Sequence, residues 1–177
     1  MSAVASQLRQ YCTFTLDGLL FGVEVSSVQE VIRFQEMTEV PLAHGVVRGL
    51  INLRGQIVTA LDLRRRLDLA QRPTNERPMN IVVRTEDGAV SFLVDEIGEV
   101  VEVDESTFER PPETLRGSAR TLIPGAYKLA DRLLLVLDTA RAANLAAGLF
   151  QGFPISSSSR TLAQEAFQLI SEPHFHI

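Results

Sequence analysis

The run Val46-Val47-Arg48-Gly49-Leu50-Ile51-Asn52-Leu53-Arg54-Gly55-Gln56-Ile57-Val58-Thr59-Ala60-Leu61-Asp62-Leu63 decides how the chain is read. Leu50, Ile51 and Leu53 form one apolar segment; Ile57, Val58 and Leu61 form a second. Asn52, Arg54, Gly55 and Gln56 have turn character, so the run predicts two strands joined by a tight hairpin. Gly55, inside an otherwise apolar run, marks a bend or a positive φ. Apolar residues on both faces imply strands buried between layers, or the wall of a small barrel. Arg54 is the anomaly. An arginine at a tight turn amid apolar sequence must reach water or find a carboxylate.

Upstream, Tyr11 to Leu16 alternates with period two and predicts a strand with Cys12, Phe14 and Leu16 inward. Asp17-Gly18 is a hairpin turn, and Leu19 to Val25 returns as a second strand. Ser27 and Glu30 have capping-box spacing, which predicts a short helix carrying Val28, Val31 and Ile32 on its apolar side. In that setting Glu30 would reach back to its own helix start. Downstream, Asp62 is a good N-cap for a helix over Leu63 to Leu69, with Leu63 and Leu67 inward. Arg64, Arg65 and Arg66 are then expected across its solvated side, with an acidic partner as the alternative.

Met79 to Arg84 and Ala89 to Val94 predict a second hairpin around Glu86-Asp87-Gly88. Asp95 to Val103 mixes acids with apolar residues and reads as a half-exposed strand. Residues 107–120 read as a long loop, and 122–127 as an interrupted strand. Leu133 to Leu137 is the most apolar run and predicts a buried strand. Asp138 caps a helix to about Leu145. Gly152 to Ser159 reads as a linker, and Thr161 opens a tail helix to about Ile170 whose Leu162, Ala163, Ala166, Phe167 and Ile170 share one side. The sum is an all-β fold of short strands without βαβ alternation, best divided into two small barrels.

The chain has 177 residues, 45% of them hydrophobic, and a net charge of −5. That permits one domain, or two small lobes sharing a core. Trp is absent, aromatics total 6%, and the densest basic cluster is Arg64-Arg65-Arg66, all of which argue against nucleic-acid binding. A single cysteine, Cys12, excludes an internal disulfide and a multi-thiolate zinc site. It is expected in the core; a catalytic thiol is the alternative, with no His or Asn nearby in sequence to support it. No run reaches the roughly 20 apolar residues of a membrane helix, so no direct membrane insertion and a cytoplasmic location are expected. No P-loop, dinucleotide glycine fingerprint or nucleophile elbow is present. His44, His174 and His176 are too dispersed for a metal site; weak chelation by His174 with His176 is the alternative to a frayed terminus. Residue chemistry alone describes a binding module with no catalytic, metal or cofactor constellation. Alternatives from other classes are a small-ligand- or nucleic-acid-binding β-barrel, and a hydrolase using Glu30 with a carboxylate such as Asp95.

The order Ser27-Val28-Gln29-Glu30-Val31-Ile32, then Val40-Pro41, then Arg48-Gly49-Leu50-Ile51-Asn52-Leu53-Arg54-Gly55-Gln56-Ile57-Val58 and Asp62-Leu63-Arg64, closely resembles the CheW-like domain family. Phe92 to Ile97 with Val100, and Gly125 before a strand ending Leu135-Val136-Leu137-Asp138, extend the resemblance over residues 10–144. It implies two five-stranded SH3-like β-barrels sharing a core, no catalysis, and no cofactor. It implies an adaptor that couples the cytoplasmic tip of chemoreceptors (methyl-accepting chemotaxis proteins) to the regulatory domain of the histidine kinase CheA. Such adaptors work in receptor arrays at the inner face of the membrane. Matched by motif, the receptor-facing residues fall on Val28, Glu30 and Arg54, while Gly49, Asn52, Gly55 and Asp62 belong to the structural motif. Residues 1–9 are expected as a polar leader, and 145–177 as a linker and amphipathic tail helix beyond the family pattern.

Overall fold

The computed structural model describes residues 5–145. β1 (Leu8–Leu16) and β2 (Leu19–Glu24) form the first hairpin around Asp17-Gly18. β1 starts inside the expected leader, where Arg9 is tied to Glu24 at 2.5 Å and Glu105 at 2.7 Å. A 3-10 turn over Val25–Ser27 leads directly into β3 (Val28–Ile32). The short helix expected there is therefore a strand. Val28, Val31 and Ile32 are β-branched, and the ladder β3 finds on β6 outweighs a local cap.

β4 (Val47–Leu53) and β5 (Gln56–Asp62) form the hairpin read from the organising run. α1 (Leu63–Arg66) follows, with Asp62 as its N-cap accepting the Arg64 N–H at 3.0 Å. β6 (Met79–Thr85), β7 (Gly88–Val94) and β8 (Glu96–Asp104) come next. α2 (Ser118–Leu122) shortens the expected long loop. β9 (Gly125–Lys128), β10 (Leu133–Val136) and α3 (Thr139–Ala143), capped by Asp138, complete the described chain. The expected linker and tail helix lie outside the described residues.

The strands build two five-stranded sheets, in the orders β8-β1-β2-β10-β9 and β3-β6-β7-β5-β4. The two orders are equivalent: moving each strand five places along the chain converts one sheet into the other. Even the single parallel pairing recurs, β2 with β10 and β7 with β5. The chain is thus a repeated five-strand unit in which the two copies exchange their leading hairpins. The repeat leaves a trace in sequence. Gly49, Leu53, Leu61 and Asp62 recur 76 residues later as Gly125, Leu129, Leu137 and Asp138.

In each sheet the segment that follows one edge strand turns back to form a single backbone bridge with the opposite edge strand. In one, Thr38 exchanges hydrogen bonds of 2.9 and 2.8 Å with Leu50 on β4. In the other, Glu109 exchanges 2.9 and 3.0 Å bonds with Ala126 on β9. The residue before each bridge is glycine because the crossing backbone leaves no room. A Cβ on Gly49 would lie 2.6 Å from the Thr38 carbonyl oxygen, and one on Gly125 would lie 2.4 Å from that of Glu109. This is the barrel-like pair anticipated from the sequence, with ladders inside each sheet and a single bridge at each seam.

One apolar core joins the sheets. Phe14, Leu16, Phe21 and Val23 meet Leu61, Ile81, Phe92 and Val94, together with Leu63 and Leu67 after β5. Phe14 and Phe21 stack with ring centroids 5.8 Å apart. Cys12 is buried here, as alternation required. The other side of each sheet closes over a smaller cluster, Tyr11, Leu20, Leu134 and Val136 in one and Ile51, Ala60 and Leu93 in the other. Burial on both faces explains why Leu134 to Leu137 carries no polar alternation, while Leu133 at the start of the run is exposed.

Candidate functional site

Two sequence features place Arg54. The β4–β5 connection has only two residues, Arg54 and Gly55, with φ of 51° and 85°. Positive φ at both positions matches the right-handed twist of the strands. Glycine adopts it freely; arginine does so at a cost of about 1 kcal/mol. The Asn52 side chain stabilises the turn, its Oδ1 accepting the Gly55 N–H at 2.9 Å. Arg54 therefore stands at a rigid hairpin tip with its side chain 84% exposed.

Glu30 comes from the opposite end of the same sheet. β3 carries a bulge between Val28 and Glu30, where the ladder steps from Val83 to Val82. Because the sheet curls, the β3 edge comes round to the β4–β5 tip. Arg54 Nη2 donates to Glu30 Oε2 at 3.0 Å. The pair spans from the β3 edge to the β4–β5 tip on the exposed side of the sheet. The Glu30 side chain is only 18% exposed, while the guanidinium it accepts from faces water. The helix-capping role considered for Glu30 does not arise, because no helix begins there. Val28 is half-buried and packs against the shared core. The structure thus brings Glu30 and Arg54 together and gives Val28 a place beneath the same strand.

The remaining motif residues hold this arrangement. Gly49 admits the crossing backbone of Thr38. Gly55 supplies the second positive φ. Asp62 is buried, caps α1, and lies 3.8 Å from Arg65 Nε.

Sequence reading missed the most heavily bonded carboxylate among the described residues. Arg64 was expected on a solvated helix face, yet it is buried, and Asp95 is not part of a solvated strand face. Asp95 accepts from Arg64 Nε at 2.9 and 3.1 Å and from Arg64 Nη2 at 2.6 Å. It also accepts from Arg72 Nε and Nη2 at 3.0 and 2.8 Å, and from the Asp17 N–H at 2.8 Å. Burial pushes the carboxyl up, but these donors outweigh it and hold it below the usual carboxylate range. One carboxylate so links the β1–β2 turn to α1 and the following loop, across the two sheets. Arg65 and Arg66 are also anchored, to the carbonyls of Gly45 and of Arg141 and Ala142. The usable signal was position: Asp95 ends a continuous apolar run, where an unpaired charge is costly. With both oxygens engaged by cations, Asp95 is not available as the second carboxylate of a hydrolase. Among the described residues, no three His, Cys, Asp or Glu side chains converge as a metal site.

The profile of the CheW-like domain matches residues 10–147. The chemotaxis protein CheW of Bacillus subtilis is 30% identical over 138 residues, covering 78% of this chain and 88% of that protein. That of Treponema pallidum is 27% identical over 140 residues, covering 77% and 82%. The crystal structure of the scaffolding protein TtCheW from Thermoanaerobacter tengcongensis superposes with a TM-score of 0.70 at 25% identity, covering 78% of this chain and 94% of that one. The chain belongs to the CheW-like domain family, the family of the chemotaxis scaffold proteins.

Proposed function

We propose that this protein is a non-catalytic adaptor that couples the cytoplasmic tip of chemoreceptors to the regulatory domain of the histidine kinase CheA. It would act in the cytoplasm, within receptor arrays at the inner face of the membrane. The observation that carries the reading is the Arg54–Glu30 pair. An arginine is fixed at a hairpin tip, exposed, and oriented by a carboxylate from the far edge of the same sheet. Exposed pairs of this kind stabilise a fold by less than about 1 kcal/mol. A strained turn residue that contributes so little to folding points to recognition as its use. Val28 would set the depth of the receptor groove, and Glu30 and Arg54 its charge.

The test is a double-mutant cycle on receptor affinity. Glu30→Ala and Arg54→Ala should each weaken binding of a receptor cytoplasmic fragment while leaving the thermal midpoint nearly unchanged. Their effects should be less than additive, because each removes the same contact. Unchanged affinity in both single variants would place the receptor contact elsewhere.

A further inference from the structure

A cavity of about 460 Å³ opens beside the 33–45 connection. Phe34, Met37 and Leu93 supply apolar lining, and four arginines share the same space: Arg48, Arg65 and Arg77, with Arg72 committed to Asp95. The volume and the mixture suit a small organic ligand. Arg48 has no hydrogen-bond or ion-pair partner among the described residues. Arg77 has one interaction, its guanidinium lying 5.2 Å above the Phe34 ring. Arg65 is held against the wall by the Gly45 carbonyl at 2.9 Å and by Asp62 at 3.8 Å, leaving its Nη2 without a hydrogen-bond partner among the described residues. Asp62 is otherwise engaged as the α1 cap. Glu76 is the other carboxylate in the lining; it feels the charge of Arg64, but its side chain accepts no hydrogen bond among the described residues.

Each feature selects part of a ligand. Planar guanidinium groups match a phosphate bidentately, and Arg48 with Arg65 offers two of them. The Phe34–Arg77 stack is a flat platform on which a third planar ring can lie. The Glu76 carboxylate accepts hydrogen bonds only, so it suits ring or exocyclic N–H donors. We propose that this cavity binds a small phosphate ester carrying a planar, N–H-bearing ring, a ligand of purine-mononucleotide size. The site is independent of the Arg54–Glu30 pair, since neither residue lines it.

Calorimetric titration of the full chain tests this with four probes: GMP, AMP, guanosine and inorganic phosphate. GMP or AMP should saturate below about 1 mM, with guanosine and phosphate each at least about tenfold weaker, because both ends contribute. Arg48→Ala should cost at least about tenfold in nucleotide affinity. Arg77→Lys, which keeps the charge but loses the plane, should weaken nucleotide and leave phosphate unchanged. Both side chains are solvent-facing, and an unaltered thermal midpoint confirms that the variants fold. Three results would overturn the proposal: no nucleotide binding at about 5 mM, phosphate binding as tightly as GMP, or nucleotide affinity unchanged in both variants.

Discussion

At the residue scale, the structure depends most on Asp95. Its carboxylate compensates two arginines that are each only 8% exposed, so losing its charge leaves Arg72 without a counter-ion and Arg64 with only the longer contact to Asp17 at 3.7 Å. Breaking such a pair costs about 3–5 kcal/mol. Asp95→Asn should therefore lower the thermal midpoint on the order of 10 °C for a chain of this size. The pH dependence has a fixed sign. The folded-state pKa is depressed, so the stabilisation is present above the unfolded value of about 4 and is lost as pH falls through the folded value. Thermal melts from pH 6 to pH 2 should show a steep acid loss in the parent and a shallower one in Asp95→Asn. Equal slopes would mean that another carboxylate governs acid unfolding. Gly49 is the second sensitive residue. Gly49→Ala places a methyl 2.6 Å from the Thr38 carbonyl and should cost about 1–3 kcal/mol by loosening the seam, read as a fall in denaturation midpoint at constant m value.

At the element scale, the β4–β5 hairpin was legible because its signal is local. Two apolar runs flank a polar pair, and only tight-turn geometry fits between them. The two capped helices were legible for the same reason, through Asp62 and Asp138. β3 was not. Ser27 and Glu30 satisfy a local helix rule, while the ladder to β6 that overrides it joins residues some fifty positions apart. Arg64 was misplaced likewise: its helix position said solvent, and its partner Asp95 lies 31 residues away. The pair Glu30 and Arg54 could be linked only through the family resemblance, since their contact depends on the curl of a whole sheet. The turn itself yields a prediction. Gly55→Ala should destabilise by about 1 kcal/mol through its φ of 85°, and by tilting the tip should also weaken receptor binding. Arg54→Gly should instead leave the turn relaxed and the fold intact while weakening the receptor contact, which separates turn strain from recognition.

At the scale of the whole molecule, the exchanged hairpins make two sheets into one cooperative unit. Neither sheet is built from a continuous half of the chain, and both drain into one core. The repeat behind this, with Gly49, Leu53, Leu61 and Asp62 recurring as Gly125, Leu129, Leu137 and Asp138, was present in the sequence but too sparse to stand out among common residues. A single denaturation transition should report both sheets together, and it should survive removal of residues 152–177, since the described core lies within residues 5–145. Such a unit can hold two partners at a fixed separation. Each contact is expected to be modest, with micromolar affinity for the kinase regulatory domain, about −8 kcal/mol, because an array multiplies weak contacts. The central claim is that this protein joins receptor to kinase. Co-sedimentation of a CheA regulatory domain with membrane-bound receptor fragments measures it directly. The regulatory domain should sediment when the parent protein is added and remain largely in solution with Arg54→Ala; sedimentation that is independent of the added protein, or equal with parent and variant, would contradict the account.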